Sequence, residues 1–425
     1  MQPMDDCNTQ HRTIAIAGFS VRAAAQCAKR QGFEVVAIDM CADRDLLSEC
    51  IVHLRLDDPN WPSVLNSLYP SAPLLLAGGM EQRIELLAQC HLATKRPGPN
   101  GSQLAAMRNS RNWEDWANSS EIGWPLTIHR LQDVVQILNQ SPNSPWLLKS
   151  LQSAGGIGIS ELVDKLEQRA TDHMKQMNAY IQKRLQGETV GITFLSSEFG
   201  CAVVGAAAAL PAPASTARKF VYRGSLGPIR LPSQLVDKLQ RFANVASKES
   251  QILGLWQADF LLDKNELTLL EINPRWSASM DLLDAQLNLH LVEMHVASVC
   301  KLLSPRSFER FNRYCLDQFD KQHNSMLGKL IVYAGVPMTI TNAQSDTWWA
   351  HRWERSTHGA DNQVQYADIP TAGTSISQGD PLLSVLTTGN SAKAVLDVLE
   401  AVNACSVANQ ISDCEPQVSS KSQDF

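Results

Sequence analysis

The sequence predicts an α/β protein, and three stretches carry that prediction. Residues 12–39 read as strand, helix, strand. The apolar run Thr13-Ile-Ala-Ile-Ala breaks at Gly18, the alanine-rich stretch Val21 to Gln31 ends at Gly32, and Phe33-Glu-Val-Val-Ala-Ile-Asp39 forms a second buried strand. Leu74-Leu-Leu-Ala-Gly-Gly79 reads as another parallel strand, its glycines at the C-terminal end where open α/β sheets take ligands. Further on, Gln257-Ala-Asp-Phe-Leu-Leu-Asp and Glu266-Leu-Thr-Leu-Leu-Glu-Ile-Asn read as two strands joined at Lys264-Asn265.

Size and composition set the bounds. With 425 residues, 44% hydrophobic and 19% charged, the chain is long enough for about three domains with sizeable cores. A net charge of −6 with a pI near 5.9 gives no electrostatic case for nucleic acid or an anionic membrane. The ten cysteines are scattered without a CxxC pair or zinc spacing, as reduced core thiols are. No apolar run is long enough for a membrane span, and Met1-Gln-Pro-Met-Asp-Asp is not a secretion signal, so the expected location is the cytoplasm.

In chain order, the turn Gly18-Phe-Ser20-Val-Arg22 sets N–H groups, a hydroxyl and a guanidinium at a helix N-terminus. That reads either as an anion site or as a tight βα turn with a surface arginine. It lacks GxGxxG, which counts against a dinucleotide enzyme. Pro97-Gly-Pro-Asn-Gly marks a boundary, and Leu104 to Trp116 reads as a helix. Trp146-Leu-Leu-Lys149-Ser-Leu is a strand running into Gln152-Ser-Ala-Gly-Gly-Ile-Gly158. A glycine loop lets N–H groups close on phosphate oxygens, and the neighbouring lysine can neutralise them. Because the lysine precedes the glycines this is no Walker A motif, and such a loop alone is also an ordinary turn.

Lys165 to Lys175 reads as a polar helix; Met177 to Leu195 as strand, turn and strand about Gln186-Gly187; residues 201–210 as a small-residue strand before the Pro211-Ala-Pro-Ala-Ser loop. Ser233 to Leu253 is amphipathic, with Leu235, Val236, Leu239, Phe242 and Val245 at helical spacing, and His290 to Leu302 is a further helix. His290 and His295 are five apart and so diverge on a helix, which favours packing over a metal site with Glu293. Residues from Ser304 read as a polar connector and those after Leu327 as short strands. Trp348-Trp-Ala-His-Arg-Trp353 reads as packing rather than a stacking platform, Ser391 to Val402 as a closing helix, and 406–425 as a polar tail.

The hairpin carries the most chemistry. Alternation puts Glu271 and Asn273 on one face, and closure at Lys264-Asn265 brings Asp259 beside them, with Arg275 just beyond. Three oxygen ligands meeting on an apolar hairpin suit a hard divalent cation that also holds phosphate, typically magnesium; the alternative is a hairpin with solvated carboxylates.

The order of lysine strand, glycine loop, hinge strand and Asp…Glu-x-Asn-x-Arg resembles the ATP-grasp superfamily, in particular its biotin-carboxylase-like members. More narrowly, GFSVRAAAQCAKRQGFEVVAIDM, WLLKSLQSAGGIGI, YRGSLGP, LEINPRWSASMDLL and IPTAGTSISQGDP are similar to the predicted ATP-dependent carboligases associated with folate-like one-carbon-carrier biosynthesis. The resemblance implies an ATP-grasp fold, α/β overall and α+β in the lid. It would consist of a Rossmann-like pre-ATP-grasp domain over 1–96, an ATP-grasp domain over 97–303 with its lid at about 110–185, a small β-rich domain over 304–404 and a disordered tail over 405–425.

It also implies roles. Asp259, Glu271 and Asn273 would hold Mg2+ (or Mn2+), and Lys149 would contact the α/β-phosphates beneath a loop of Gly155, Gly156 and Gly158. Gln182, Lys183 and Leu185 would bind adenine, Glu188 the ribose, and Arg275 a developing oxyanion. Ser110 falls where the family has its first nucleotide lysine, leaving Arg108 or Arg111 to supply that charge. Ser150 stands where a proline usually follows the lysine, and Ala154 thins the glycine run. The implied activity is a carboxylate–amine ligase that forms ADP, works on small molecules and is often dimeric. A bicarbonate-using carboxylase and a silent ATP-binding regulator are the alternatives.

Overall fold

The computed structural model describes residues 12–92, 96–130, 133, 144–150, 155–162, 179–211, 219–354 and 363–407. The helix expected over 165–175, Gln152 to Ala154 of the glycine loop, the 212–215 loop and the tail beyond 407 lie outside the described residues.

Strands are numbered in chain order. The N-terminal sheet comprises β1 (Thr13–Ala17), β2 (Glu34–Asp39), β3 (Val52–Arg55) and β4 (Leu74–Leu76), all parallel in the order β3-β2-β1-β4. A lid sheet holds β5 (Thr127–Ile128), β6 (Trp146–Ser150), β7 (Ile159–Leu162) and β8 (Ala179–Lys183), antiparallel in the order β5-β8-β6-β7. The large sheet is built from β9 (Glu188–Ser197), β10 (Gly200–Ala209), β11 (Gly224–Gly227), β12 (Gly254–Asp263), β13 (Glu266–Asn273) and β14 (Met326–Tyr333). Next in the chain come β15 (Met338–Thr339), β16 (Gln365–Ala367), β17 (Ser375–Ile376) and β18 (Pro381–Gly389). β16 and β18 extend the large sheet, whose order is β13-β12-β9-β10-β11-β14-β18-β16, while β15 and β17 pair with each other.

Two consequences bear on the site. Of the strands at 326–389, β14, β16 and β18 continue the sheet that carries the hairpin, and only the short β15 and β17 pair apart from it. The N-terminal sheet also shares a core with the rest. Ile14, Ala24, Val35 and Leu75 pack in one cluster with Leu195, Ala202, Met280, Leu283 and Met294. The second large cluster lies between the large sheet and the Ser233–Ser250 helix, where Phe194 stacks on Trp256 at 4.2 Å and Phe242 meets Phe260 edge-on at 5.6 Å.

Several elements differ from expectation. The 104–116 helix is two, Gly101–Arg108 and Ser110–Ser119, because Asn109 leaves helical backbone (φ −81°, ψ 105°) and its side chain caps Arg111 N–H. The stretch after Ser304 is not a connector but the Pro305–Asp320 helix, capped by Ser304 and burying Phe308, Phe311, Cys315 and Phe319. Those positions keep helical spacing among otherwise polar residues. β8 and β9 do not pair across Gln186-Gly187; they belong to different sheets, so this turn is a joint between lid and large sheet. The tryptophan stretch packs: Trp348 is buried, and Trp349 lies between Arg44 (4.6 Å) and Arg352 (4.5 Å).

Candidate active site

The β12–β13 register sets Asp259 directly opposite Glu271 and Gln257 opposite Asn273. A bulge follows at once, since Phe260 pairs with Leu269 and Leu270 is the extra residue. Lys149 reaches that carbonyl from the lid sheet, its Nζ 3.5 Å from Leu270 O. Asn273 Nδ2 donates to Asp259 Oδ2 (3.0 Å) and Glu271 Oε1 (3.1 Å), holding the two carboxylates together. Gln257 Nε2 donates to Asp259 Oδ1 (2.8 Å) while its Oε1 accepts from Ser279 Oγ (2.8 Å), so Asp259 is gripped from both sides.

Arg275 closes the far side. Its Nη2 donates to Asn273 Oδ1 (3.1 Å), its Nη1 to Trp276 O and Ser277 Oγ (both 3.1 Å), and its Nε to Glu81 Oε1 (2.9 Å). Glu81 comes from the turn after β4, is wholly buried, and leaves Oε2 without a partner. Arg108, the last residue of the Gly101–Arg108 helix, donates from Nη1 to Ile272 O (3.0 Å).

The electrostatics follow from this crowding. Burial, then the facing Glu271, pushes Asp259 up to about 7. Burial also opposes ionisation of Glu271, but Arg108, Lys149 and the Asn273 N–H outweigh it and hold Glu271 below the usual carboxylate range. Within the coupled pair Glu271 keeps the charge and Asp259 takes the proton first. Lys149 is lowered by burial, against the pull of Glu271 and Asp259.

Two half-buried carboxylates in register, with an amide between them, are a donor set that fits a hard divalent cation. The cation would relieve the repulsion that raises Asp259. Asn273 would join it through Oδ1 after a half turn of its amide, since Nδ2 now faces the carboxylates.

The remaining expected residues sit around this centre. Gly155 and Gly156 both have positive φ (62° and 78°), and the loop docks on the segment before β11: Tyr222 N–H donates to Gly155 O (2.9 Å). A Cβ on Gly156 would fall 1.7 Å from Phe220 O, so only glycine fits there. Gly158 O accepts Ser150 N–H across the same turn (3.2 Å). In the hinge strand the Gln182 side chain is buried and donates to Thr127 Oγ1 (3.1 Å), and Lys183 N–H is taken by Leu126 O (2.8 Å). Glu188 is exposed at the start of β9 opposite Leu262, three register positions from Asp259 and apart from the acidic pair.

Arg22 differs from the anion reading, because its guanidinium is paired with Asp368 at 2.9 and 3.1 Å and neutralised. His295 is buried between Leu255 N–H and Leu74 O rather than set with His290 around a metal. Of Arg108 and Arg111, it is Arg108 that faces Glu271.

Sequence reasoning missed Gln257, Glu81 and Gly191. Gln257 shares the face of Asp259 two residues on, a legible signal. Gly191 is a mid-strand glycine across from Asp259, where a Cβ would meet Gln257 Nε2 at 2.7 Å and Asp259 Oδ1 at 3.3 Å. Glu81 carries no signal beyond its place just after a strand end.

This arrangement is that of the ATP-grasp fold. Residues 124–279 match the ATP-grasp domain family, and the fold likeness extends over most of the chain. The biotin carboxylase domain of the Hydrogenobacter thermophilus 2-oxoglutarate carboxylase, solved with MgADP, ADP and bicarbonate, has a TM-score of 0.68 at 13% identity. It covers 92% of this chain and 89% of its own. An L-amino acid ligase from Bacillus licheniformis gives 0.65 at 13% identity, covering 93% and 98%. The N5-carboxyaminoimidazole synthetase from Staphylococcus aureus, complexed with ADP, gives 0.63 at 13%, covering 92% and 96%. No curated protein matches the sequence significantly. Among the described residues no helix is long and apolar enough to cross a membrane.

Proposed function

We propose that the protein is an ATP- and magnesium-dependent ligase that activates a small-molecule carboxylate as an acyl phosphate, releasing ADP, and joins it to an amine. The observation that carries the reading is the convergence of Lys149, from the lid, with Asp259, Glu271, Asn273 and Arg275 of the hairpin and its exit. Around this centre stand three cations (Lys149, Arg108, Arg275) and three carboxylates (Asp259, Glu271, Glu81). A ligand without net charge enters such a balanced site at least cost, and ATP with two magnesium ions is one.

In this reading the metal, when bound, neutralises phosphate charge and fixes the in-line geometry. Asp259, Glu271 and Asn273 hold it, with Gln257 and Gly191 keeping Asp259 in place. Lys149 contacts the α/β-phosphates, with Arg108 supplying the second nucleotide cation. Gly155, Gly156 and Gly158 cover the phosphates and exclude water. Adenine packs at Gln182, Lys183 and Leu185 and the ribose reaches Glu188. Arg275, braced by Glu81, stabilises negative charge developing on the carboxylate as the amine displaces phosphate.

The amino acid ligase among the similar folds supports carbon–nitrogen bond formation, and the narrower sequence likeness supports acceptors related to one-carbon cofactors. A homodimer is the assembly we expect, as named for the 2-oxoglutarate carboxylase domain.

Coupled ADP release across pairs of carboxylates and amines, glutamate and pterin-like acceptors included, tests the reading, with products identified by mass. Glu271→Gln is expected to abolish ADP release with the circular dichroism spectrum unchanged, and full activity in that variant would refute it. ADP release dependent on bicarbonate and on no amine would replace it with a carboxylase.

A further inference from the structure

The lid sheet turns a row of polar side chains toward the hairpin, and the row extends beyond Lys149. Lys149 on β6 stands directly opposite Tyr180 on β8. β5 pairs with β8 through Thr127 with Gln182 and Ile128 with Ile181. His129, one residue past β5, therefore falls opposite Tyr180 on the face that Lys149 shares. The ring contact agrees, with the His129 and Tyr180 centroids 5.7 Å apart and their planes at 36°. Lys149 reaches the bulge at Leu270, and the Tyr180 phenol lies in the fields of Glu271 and Arg108. The row His129, Tyr180, Lys149 thus faces the metal centre.

His129 ends the row with a polar atom that nothing serves. Its Nδ1 lies 3.5 Å from Ser110 Oγ, at the start of the Ser110–Ser119 helix. Its Nε2 is buried without a hydrogen-bond partner, which costs free energy unless something binds there. The indole nitrogens of Trp61, Trp146 and Trp348 are also unpartnered, but their whole side chains are enclosed in the cores. His129 is only half-buried, at the end of a row that faces the site.

The charge around the ring selects the occupant. Burial, and then the Arg111 guanidinium, lowers His129 from its ordinary value, so the imidazole is neutral at neutral pH. With the Ser110 hydroxyl donating to Nδ1, the ring proton sits on Nε2, which becomes a free donor. No carboxylate figures among the groups that act on it. An N–H donor beside a guanidinium is best matched by an acceptor that carries negative charge, which a phosphate oxygen does and an adenine nitrogen does not.

We propose that His129 is a further nucleotide-binding residue, its Nε2–H donating to a phosphate oxygen while Ser110 fixes the tautomer and Tyr180 supports the ring. The phosphate chain then lies along the row, between the charged Lys149 and the uncharged His129. The proposal deepens the proposed function and rests on it.

Dissociation constants of MgADP and of adenosine, measured on the full chain by calorimetry, provide the test. His129→Phe keeps an aromatic ring on Tyr180 and removes both ring nitrogens. That variant is expected to bind MgADP about tenfold more weakly than the wild type, and adenosine within about twofold of it. Unchanged MgADP affinity would overturn the proposal. An equal loss for MgADP and adenosine would do the same, since the ring would then serve the base or the packing. If His129→Phe does not fold, the wild type decides through 15N-histidine NMR. The Nε2 resonance of His129, assigned by its absence in His129→Gln, is expected to move on addition of MgADP and not of adenosine. A resonance that MgADP leaves in place would overturn the proposal. Failure of the wild type to bind MgADP would instead refute the proposed function.

Discussion

Acid should weaken this protein through one buried histidine. His295, on the Leu291–Val299 helix, accepts Leu255 N–H at Nδ1 (3.1 Å) and sits 3.2 Å from Leu74 O at Nε2. Nε2 therefore carries the proton and donates, and a second proton at Nδ1 would point at an N–H. The ring ties β4, next to Glu81, to β12, which holds Asp259, and Gly254 leaves the room for it. Burial pushes His295 down to about 4 from 6.5.

The sign follows from linkage. The unfolded chain takes up the proton as pH falls through about 6.5, while the folded chain refuses it until about 4. The stabilisation is thus complete above the higher value and is lost between the two. One-site linkage gives a loss of roughly 2 kcal/mol on going from about pH 7.5 to about pH 5, with a ceiling of roughly 3.4 kcal/mol in stronger acid. Urea unfolding of wild type and His295→Gln at both pH values isolates this from the carboxylates. The wild type should lose about 2 kcal/mol more than the variant, and parallel losses would refute the reasoning.

Three further outcomes concern the site. Glu81→Gln keeps an acceptor for Arg275 Nε and fills the unpartnered Oε2 position with a donor, but removes the charge; kcat for ADP release should fall about ten- to hundredfold with MgADP affinity unchanged. Gly191→Ala drives a methyl into Gln257, so half-saturation by magnesium should rise about tenfold in the ADP-release assay, and an unchanged magnesium curve would show Gln257 to be dispensable. Arg108→Ala should raise the KM for ATP at least about tenfold and Arg111→Ala at most about twofold; the reverse order would transfer the nucleotide cation to Arg111.

Local features were legible wherever period and turn chemistry agreed. The hairpin closes at Lys264-Asn265, with Lys264 at φ 55°, and sets Asp259 against Glu271 as alternation requires. The bulge at Leu270 was not legible, because nothing in Thr-Leu-Leu-Glu marks which residue is extra, and yet it frees the carbonyl that Lys149 meets. The helix after Ser304 was hidden by composition: Arg, Glu, Asn and Asp fill its outer face while Phe308, Phe311, Cys315 and Phe319 are the apolar residues that hold the inner one. Sheet membership was the least legible. A strand such as Met326–Tyr333 reads the same whether it founds a new sheet or extends an old one, and its pairing with β11 is a contact between residues about a hundred positions apart.

The turn at Gly18–Arg22 shows why charge type alone misleads. Its N–H groups, hydroxyl and guanidinium are those of an anion site, and that reading assumed the arginine would face open space. The fold instead brings Asp368 onto it from the far end of the chain, in left-handed backbone (φ 54°), and buries the arginine beneath the half-buried aspartate. With Asp39, Asp43 and Asp45 close by, the sign of the edge reverses from attracting anions to attracting cations. That reversal depends on a contact across 346 positions, so no local window could contain it.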